Sequence, residues 1–271
     1  AFYGNFANAT DAQKAAIESL LSGRNLILTA GTGSGKTEAV TAPIVSKFYV
    51  DAIRLDGLFL IYIAPTKALV NDLEKRLQPI LQSINLRIGI RHGDKDDLKK
   101  KKSPHILITT PESLEVLLLR RDPAIKSVKA VVIDEVHLLY NTQRGLQLAV
   151  SLRRLAKLSL RPVQIAALSA TVGNLIDVAN FIFGENNQAD LLCFPANREI
   201  DAQIRYAKEI NDFVTLVQRL MADDARKFLV FVNSRRECEL LAGELKKSEI
   251  LREYVFAHYS SLSPEVRRET E

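Results

Sequence analysis

The chain has 271 residues, of which 47% are hydrophobic and 25% are charged, and its formal net charge is +5. This composition is typical of a globular protein with one large or two ordinary cores, and the small basic excess is compatible with a polyanionic partner without requiring one. The two cysteines, Cys193 and Cys238, lie far apart in the sequence. Their spacing excludes a zinc knuckle or a disulfide framework, and no apolar run is long enough for a membrane span, so a cytoplasmic protein is expected.

Helices and strands alternate along the first part of the chain, which predicts a parallel α/β sheet. A helix with Thr10 as its N-cap leads into the first apolar strand, at residues 25–28. Further strands are predicted at residues 58–63, 87–91, 105–109, 128–133, 163–168 and 191–194.

Residues 195–198 have linker character, so a first domain is expected over residues 1–197 and a second over residues 198–271. In the second domain, strands are predicted near residues 200–206, at 227–232 and at 254–257, and helices at 211–221 and 235–247. This part is too short to close a full sheet. The chain also starts without Met and stops within a predicted helix, so a piece of a longer protein is expected.

A glycine-rich run connects the first strand to the next helix and has the form of a phosphate-binding loop, with Gly-Lys-Thr in register and Ala30 in place of the usual first glycine. Its main-chain N–H groups and the helix N-terminus would form a socket for a di- or triphosphate. Lys36 would reach the β- and γ-phosphates, and the Thr37 hydroxyl would ligate Mg²⁺. The predicted nucleotide-binding residues in this loop are Ala30, Gly31, Thr32, Gly33, Ser34, Gly35, Lys36 and Thr37.

Two carboxylates, Asp134 and Glu135, follow the most buried of the predicted strands. Because open parallel sheets bind ligands at the carboxyl ends of their strands, this pair is expected beside Thr37. Asp134 would hold Mg²⁺ through water, and Glu135 would orient and deprotonate the attacking water. Together with Lys36, these are the predicted catalytic residues.

The order and spacing of these motifs resemble the DExH-box group of superfamily 2 nucleic-acid helicases, and within it the large helicase-related proteins. Residues 30–37 are similar to motif I, residues 134–137 to motif II and residues 169–171 to motif III, and residues 143–148 fit the same group. The resemblance implies a P-loop NTPase fold, with a RecA-like parallel sheet flanked by helices and an incomplete second RecA-like α/β domain. It also implies that Gln13 reads the adenine edge and that His137, Ser169 and Thr171 couple hydrolysis to strand movement.

Three further runs, at residues 64–69, 91–94 and 110–114, resemble the strand-contact motifs of that family, and residues 230–236 resemble motif IV of its second domain. They offer hydroxyl groups, helix-start amides and cations, which suit phosphate oxygens better than base edges, although each run alone is also an ordinary helix cap. Binding is therefore expected to be sequence-independent and salt-sensitive. The predicted nucleic-acid contacts are Pro65, Thr66, Lys67, Arg91, Gly93, Thr110, Pro111, Glu112, Asn233, Ser234 and Arg235.

The resemblance implies an ATP- and Mg²⁺-dependent helicase or translocase, acting as a monomer on single-stranded or partly duplex DNA or RNA, for example in DNA repair, and without a membrane partner. Two other hypotheses stay open: an ATP-gated clamp that binds without unwinding, and the motor subunit of a restriction or repair complex. The chain carries no motif V or VI, which supply the arginine that reaches the γ-phosphate. Such an arginine contributes roughly 10³–10⁵ in turnover, so weak hydrolysis by this chain is expected.

Overall fold

A computed structural model describes residues 2–4, 8–31, 33–99, 102–170, 174–184, 188–195, 204–222, 228–259, 261–263, 265–266 and 270. The chain forms two compact units, Ala1–Arg198 and Glu199–Glu271. None of the helices in the described part of the chain is both long and apolar enough to cross a membrane. Both cysteines are free thiols.

In its described residues, the first unit is an eight-stranded sheet covered by six α-helices. The strands are β1 (Asn25–Ala30), β2 (Leu60–Ile63), β3 (Ile88–His92), β4 (Lys95–Asp96), β5 (Ile106–Thr109), β6 (Ala130–Ile133), β7 (Gln164–Ser169) and β8 (Ala189–Phe194). The helices are α1 (Asp11–Leu21), α2 (Lys36–Leu55), α3 (Lys67–Ser83), α4 (Pro111–Leu119), α5 (Gln143–Leu158) and α6 (Leu175–Phe183). The strand order is β4-β3-β5-β2-β6-β7-β1-β8, and every pairing is parallel except that of β3 with β4.

The central strands are buried on both faces, as expected for a parallel sheet between two helical layers. In β2, Leu60 and Tyr62 pack with the apolar residues of α1, α2 and α3. Ile61 and Ile63 pack with those of α4, α5 and α6 on the opposite face. The strand alternation therefore divides the core into two layers.

The register aligns the carboxyl ends of six strands at one edge of the sheet. Ile63 of β2 pairs with Thr109 of β5 and with Ile133 of β6. On one side Arg91 pairs with Thr109, and on the other Thr29 pairs with Ser169. The loops after β3, β5 and β2 therefore occupy one half of this edge, and those after β6, β7 and β1 occupy the other.

The second unit contains α7 (Ile210–Ala222), α8 (Arg235–Lys246) and a 3₁₀ turn at Arg252–Tyr254, around a small cluster of Val217, Leu245 and Leu251. The three strands predicted here are wrong for the described residues: none of residues 204–206, 228–232 and 255–257 belongs to a strand. Their apolar pattern is strand-like, but a strand forms only where a neighbour accepts its main-chain hydrogen bonds. Phe231 is accordingly 88% exposed.

The helix with Thr10 as its N-cap and the helices predicted at residues 211–221 and 235–247 correspond to α1, α7 and α8, with ends that agree to within one residue. The charged residues after β3 form two elements that the sequence does not predict, β4 and a 3₁₀ turn at Asp97–Lys99. These short elements carry too few residues for a periodic signal.

Candidate functional site

The phosphate loop, residues 30–37, connects β1 to α2 at the edge of the sheet formed by the carboxyl ends of the parallel strands. Gly35 is the N-cap of α2 with a φ of 75°, and Gly33 has a φ of 76°, so both occupy the left-handed region that favours glycine. The hydroxyl of Ser34 donates to the carbonyl of Gly31 over 2.7 Å. The loop therefore has the tight turn that the motif predicts; Thr32 lies outside the described residues.

Lys36 lies across this loop. Its Nζ atom donates to the carbonyl oxygens of Ala30, at 2.7 Å, and Gly31, at 2.8 Å. Burial lowers the pKa of Lys36, while Glu135 and Asp134 act in the opposite direction. An ammonium held by two carbonyls can exchange these weak acceptors for phosphate oxygens, which are stronger because they carry charge.

Asp134, directly after β6, is buried, and its two oxygens have separate donors. Oδ1 accepts from the Glu135 main-chain N–H at 2.9 Å, and Oδ2 accepts from the Tyr62 hydroxyl at 3.2 Å. Burial, followed by the neighbouring Glu135, raises the pKa of Asp134. This carboxylate is thus oriented at a position where a nearby cation would be stabilising.

Tyr62 is a site residue that the sequence reasoning missed. It is fully buried, and its hydroxyl donates to the side chain of Asp134. Burial, followed by Asp134, raises its pKa well above 10. The available signal was a single hydroxyl-bearing residue in the apolar run 58–64, one position from the end of β2.

Glu135 has a main-chain φ of 44°, in the left-handed region that is costly for a residue other than glycine. Its Oε2 atom is buried without a hydrogen-bond partner and lies 3.3 Å from Nδ1 of His137. The same ring nitrogen lies 3.2 Å from Oγ of Ser169 at the end of β7. His137 therefore lies in contact with both Glu135 and Ser169; Thr171 lies outside the described residues.

Gln13 lies beside the phosphate loop, but its amide already has partners in the protein. Oε1 accepts from the Thr10 main-chain N–H at 2.9 Å and completes a capping box, while Nε2 is 3.5 Å from the carbonyl of Gly35. The predicted contact with adenine would require the amide to exchange these partners.

The proposed contacts of the first unit occupy the other half of the edge. Thr66 is the N-cap of α3, and Lys67 forms an ion pair with Asp94 at 2.7 Å. The Lys67 side chain also lies against Gly93, where an added Cβ would be 3.3 Å from Nζ of Lys67. Arg91 is 7% exposed, with a guanidinium nitrogen 3.7 Å from Asp96.

The start of α4 completes this half. Thr110 is the N-cap and donates to Oγ of Ser113 at 3.3 Å, Pro111 is the first helical residue, and Glu112 pairs with Arg144. In the second unit, Ser234 caps α8, which begins at Arg235, and the main-chain N–H of Asn233 donates to Glu237.

Comparison with known proteins places the chain among helicases. The sequence model of the DEAD/DEAH box helicase family matches residues 10–178. ATP-dependent helicase Lhr-Core of Methanothermobacter thermautotrophicus is 34% identical, over 100% of this chain and 35% of that protein. Lhr helicase/probable uracil glycosylase of Mycolicibacterium smegmatis is 32% identical, over 89% of this chain and 18% of that protein.

Solved structures agree with this result. The structure of the Mycobacterium smegmatis helicase Lhr bound to ssDNA and AMP-PNP superposes with a TM-score of 0.80 and 31% identity, over 99% of this chain and 38% of that one. The DEAD-box helicase Mss116, bound to ssRNA and UDP-BeF, shares the RecA-like fold with a TM-score of 0.79 and 20% identity, over 98% of this chain and 58% of that one. The chain spans about a third of the length of the curated Lhr-Core relatives it matches. With a family model that covers more than half of its residues and the two nucleotide motifs at the same edge of the sheet, the chain belongs to the DEAD/DEAH box helicase family.

Proposed function

We propose that this chain is the ATP-dependent motor of a helicase or translocase that moves on, or unwinds, DNA or RNA. One observation carries the proposal: within the first unit, the predicted nucleotide-binding and nucleic-acid-binding residues lie along one edge of the sheet, and Asp134 stands at the boundary between the two sets. The strand before Asp134, β6, pairs directly with β2, which leads into Pro65 and Thr66. The nucleotide site and the first proposed nucleic-acid loop therefore follow neighbouring strands, so that a structural change at one can act on the other.

The nucleotide site would hold MgATP with residues that the fold already brings together. Lys36 and the loop amides would bind the phosphates, and Thr37 and Asp134 would hold Mg²⁺, which would offset phosphate charge when bound. The buried Oε2 of Glu135 has no hydrogen-bond partner, which fits a site completed by a cation, water or nucleotide. The described residues contain no ready cluster of metal-ligating side chains, and Mg²⁺ usually takes only one or two carboxylates beside substrate phosphates.

Glu135 is the proposed general base, since its Oε2 atom is buried and accepts no hydrogen bond from the described residues. It would orient the attacking water and accept its proton, while Lys36 would stabilise charge on the phosphate. Hydrolysis would alter the surroundings of His137, and the contact between His137 and Ser169 would transmit this change to the end of β7.

The nucleic-acid partner would be bound through phosphates, independently of sequence. The N-termini of α3 and α4 lie at the same edge and offer first-turn main-chain N–H groups, which have no carbonyl partner within their own helix, with Lys67 and Arg91 beside them. The relative from Mycobacterium smegmatis was solved with ssDNA and Mss116 with ssRNA, which supports a single-stranded partner of either kind.

The chain would comprise a first RecA-like domain over residues 1–197 and the beginning of a second over residues 198–271. It would act as a monomer in the cytoplasm. Because motifs V and VI and their arginine are not in this sequence, the chain would bind ATP but hydrolyse it weakly.

ATP turnover and strand displacement test the proposal. Turnover is measured at low salt with and without single-stranded DNA or RNA, and Lys36→Ala serves as the inactive control. Nucleotide binding with weak turnover is expected. Strong stimulation by one strand type would show that the chain hydrolyses ATP without the missing arginine, whereas ATP-dependent retention without displacement, in a longer chain, would indicate a clamp and contradict the helicase assignment.

A further inference from the structure

Arg144 lies in the first turn of α5, where its positive charge does not stabilise the helix. The positive end of the helix dipole lies here, so a cation is unfavourable, and the first turn contains no acidic residue. Within the described part of the chain, the hydrogen bonds of its guanidinium go to Glu112 and Pro65, both outside the helix. They join two loops that belong to neighbouring strands.

The first contact is with the loop after β2, where Nη2 donates to the carbonyl oxygen of Pro65 at 2.7 Å. The second is with the first turn of α4, where Nε donates to Oε1 of Glu112 at 2.6 Å. The donors of a guanidinium are fixed in one plane, so a single side chain sets the spacing of both acceptors. Because Pro65 precedes the cap of α3, Arg144 holds the N-termini of α3 and α4 relative to each other.

A short rigid segment joins Arg144 to motif II. The hydroxyl of Thr142 donates to the carbonyl of Leu139 at 2.7 Å and accepts from the Gly145 N–H at 3.1 Å. A Cβ at Gly145 would lie 1.9 Å from the same carbonyl of Leu139, so the two backbones are in direct contact. Leu139 in turn follows the 3₁₀ turn Val136–Leu138, which carries His137.

We propose that Arg144 is a positioning residue that fixes the spacing of the two strand-contact loops, residues 64–67 and 110–113, and links them to the segment that carries His137. The inference rests on the proposed function, because it requires these loops to bind the phosphates of a single strand. It assigns Arg144 no contact with the strand, since its Nε and Nη2 donors are engaged within the protein.

The test compares Arg144→Gln and Arg144→Lys with Arg153→Gln, an exposed arginine of the same helix. Affinity for a fluorescein-labelled oligo(dT) is measured by anisotropy over a series of KCl concentrations, and affinity for a fluorescent ATP analogue is measured in parallel. Both Arg144 variants should weaken strand binding about 10-fold, as for a coupling between sites. Nucleotide affinity should stay within about twofold, and Arg153→Gln should change neither quantity.

A second comparison separates positioning from direct contact. If Arg144 acts through Glu112, the double variant with Glu112→Gln should bind the strand no more weakly than Arg144→Gln alone. Full affinity in Arg144→Lys, with a salt slope reduced by about one in Arg144→Gln, would mean that Arg144 touches phosphate itself and would overturn the proposal. Equal loss of nucleotide and strand affinity, together with a lowered unfolding temperature, would show a structural role and would also overturn it.

Lys67→Ala distinguishes this inference from the function on which it rests. If Lys67→Ala weakens strand binding and the Arg144 variants do not, the positioning role is wrong and the strand-binding surface stands. If neither change affects strand binding, the surface itself is wrong and the positioning role is wrong with it.

Discussion

The hydroxyl of Tyr62 donates a 3.2 Å hydrogen bond to Oδ2 of Asp134, and both side chains are buried. The other oxygen of Asp134 is held by the Glu135 N–H, so the carboxylate is fixed in orientation by its own neighbours. Because Oδ2 of Asp134 accepts from Tyr62, this phenol orients one of the two proposed Mg²⁺ ligands. Orientation of metal ligands by an outer set of hydrogen bonds commonly affects metal affinity.

Tyr62→Phe should therefore weaken the Mg²⁺-dependent part of nucleotide binding about 10-fold and lower the free energy of unfolding by about 1 kcal/mol. Tyr49→Phe is the matched control, since its hydroxyl donates to the carbonyl of Ile84 at 3.1 Å, away from the site. Titrations with a fluorescent ATP analogue, with and without Mg²⁺, measure the first effect, and urea unfolding measures the second. Equal nucleotide affinity in both variants would show that Tyr62 has only a structural role.

Lys36→Ala and Glu135→Gln should separate binding from hydrolysis. Removal of the Lys36 ammonium should weaken ATP binding roughly 10- to 100-fold, the usual cost of losing a hydrogen bond to a charged group. Glu135→Gln should bind ATP normally and turn it over roughly 10²–10⁴-fold more slowly, because the amide cannot accept the proton from water. Calorimetric binding and phosphate release measure the two effects.

The control for this pair is Glu74→Gln, which changes a carboxylate that pairs with Lys95 at 3.1 Å on the surface. It should leave both binding and turnover unchanged. A normal rate of ATP hydrolysis in Glu135→Gln would show that Glu135 is not the general base.

The phosphate loop and the acidic run after β6 could be predicted because their signals are local. The glycines that precede Lys36 permit the backbone angles of the tight phosphate loop. Asp134 directly follows a run of four aliphatic residues. The carboxyl-end rule for parallel sheets then brings them to one edge without knowledge of the strand order.

The contacts of Tyr62 and Arg144 could not be predicted in the same way. Tyr62 reaches Asp134 because β2 and β6 are neighbours, and Arg144 reaches Pro65 and Glu112 because β2 and β5 are neighbours. Strand order is a property of the whole sheet and leaves no periodic signal in a single segment. For the same reason, the apolar pattern at residues 228–232 predicts a strand but supplies no neighbour for it.

Gly145→Ala should destabilise the first unit by about 3 kcal/mol, because a Cβ there would lie 1.9 Å from the carbonyl oxygen of Leu139 and could be accommodated only by moving the backbone. Gly243→Ala, in the interior of α8, has no atom within 4 Å of the added Cβ. That control should be neutral or stabilising by roughly 0.5–1 kcal/mol, the helix propensity difference between alanine and glycine. Urea unfolding of the two variants measures the difference, and similar values for both would contradict the close contact at Gly145.

His105 should make the stability of the first unit depend on pH near neutrality. Its ring is buried: Nδ1 accepts from the Arg87 N–H at 2.9 Å, and Nε2 lies 3.1 Å from Oδ1 of Asp56. Burial and then Arg87 lower the pKa of His105, against the opposing effect of Asp56. The folded state therefore binds fewer protons at this ring than the unfolded state, whose histidine titrates near pH 6.5.

The stabilisation from a neutral His105 is complete above about pH 6.5 and is lost as the pH falls below that value. The free energy of unfolding should thus decrease between pH 7.5 and 5.5, a range in which Asp56, whose pKa is lowered chiefly by its bond to Arg87, stays ionised. His105→Asn keeps a side-chain acceptor but does not titrate, so its decrease over the same range should be smaller. Urea unfolding of both proteins at several pH values measures the two slopes, and equal slopes would mean that the proton uptake occurs elsewhere.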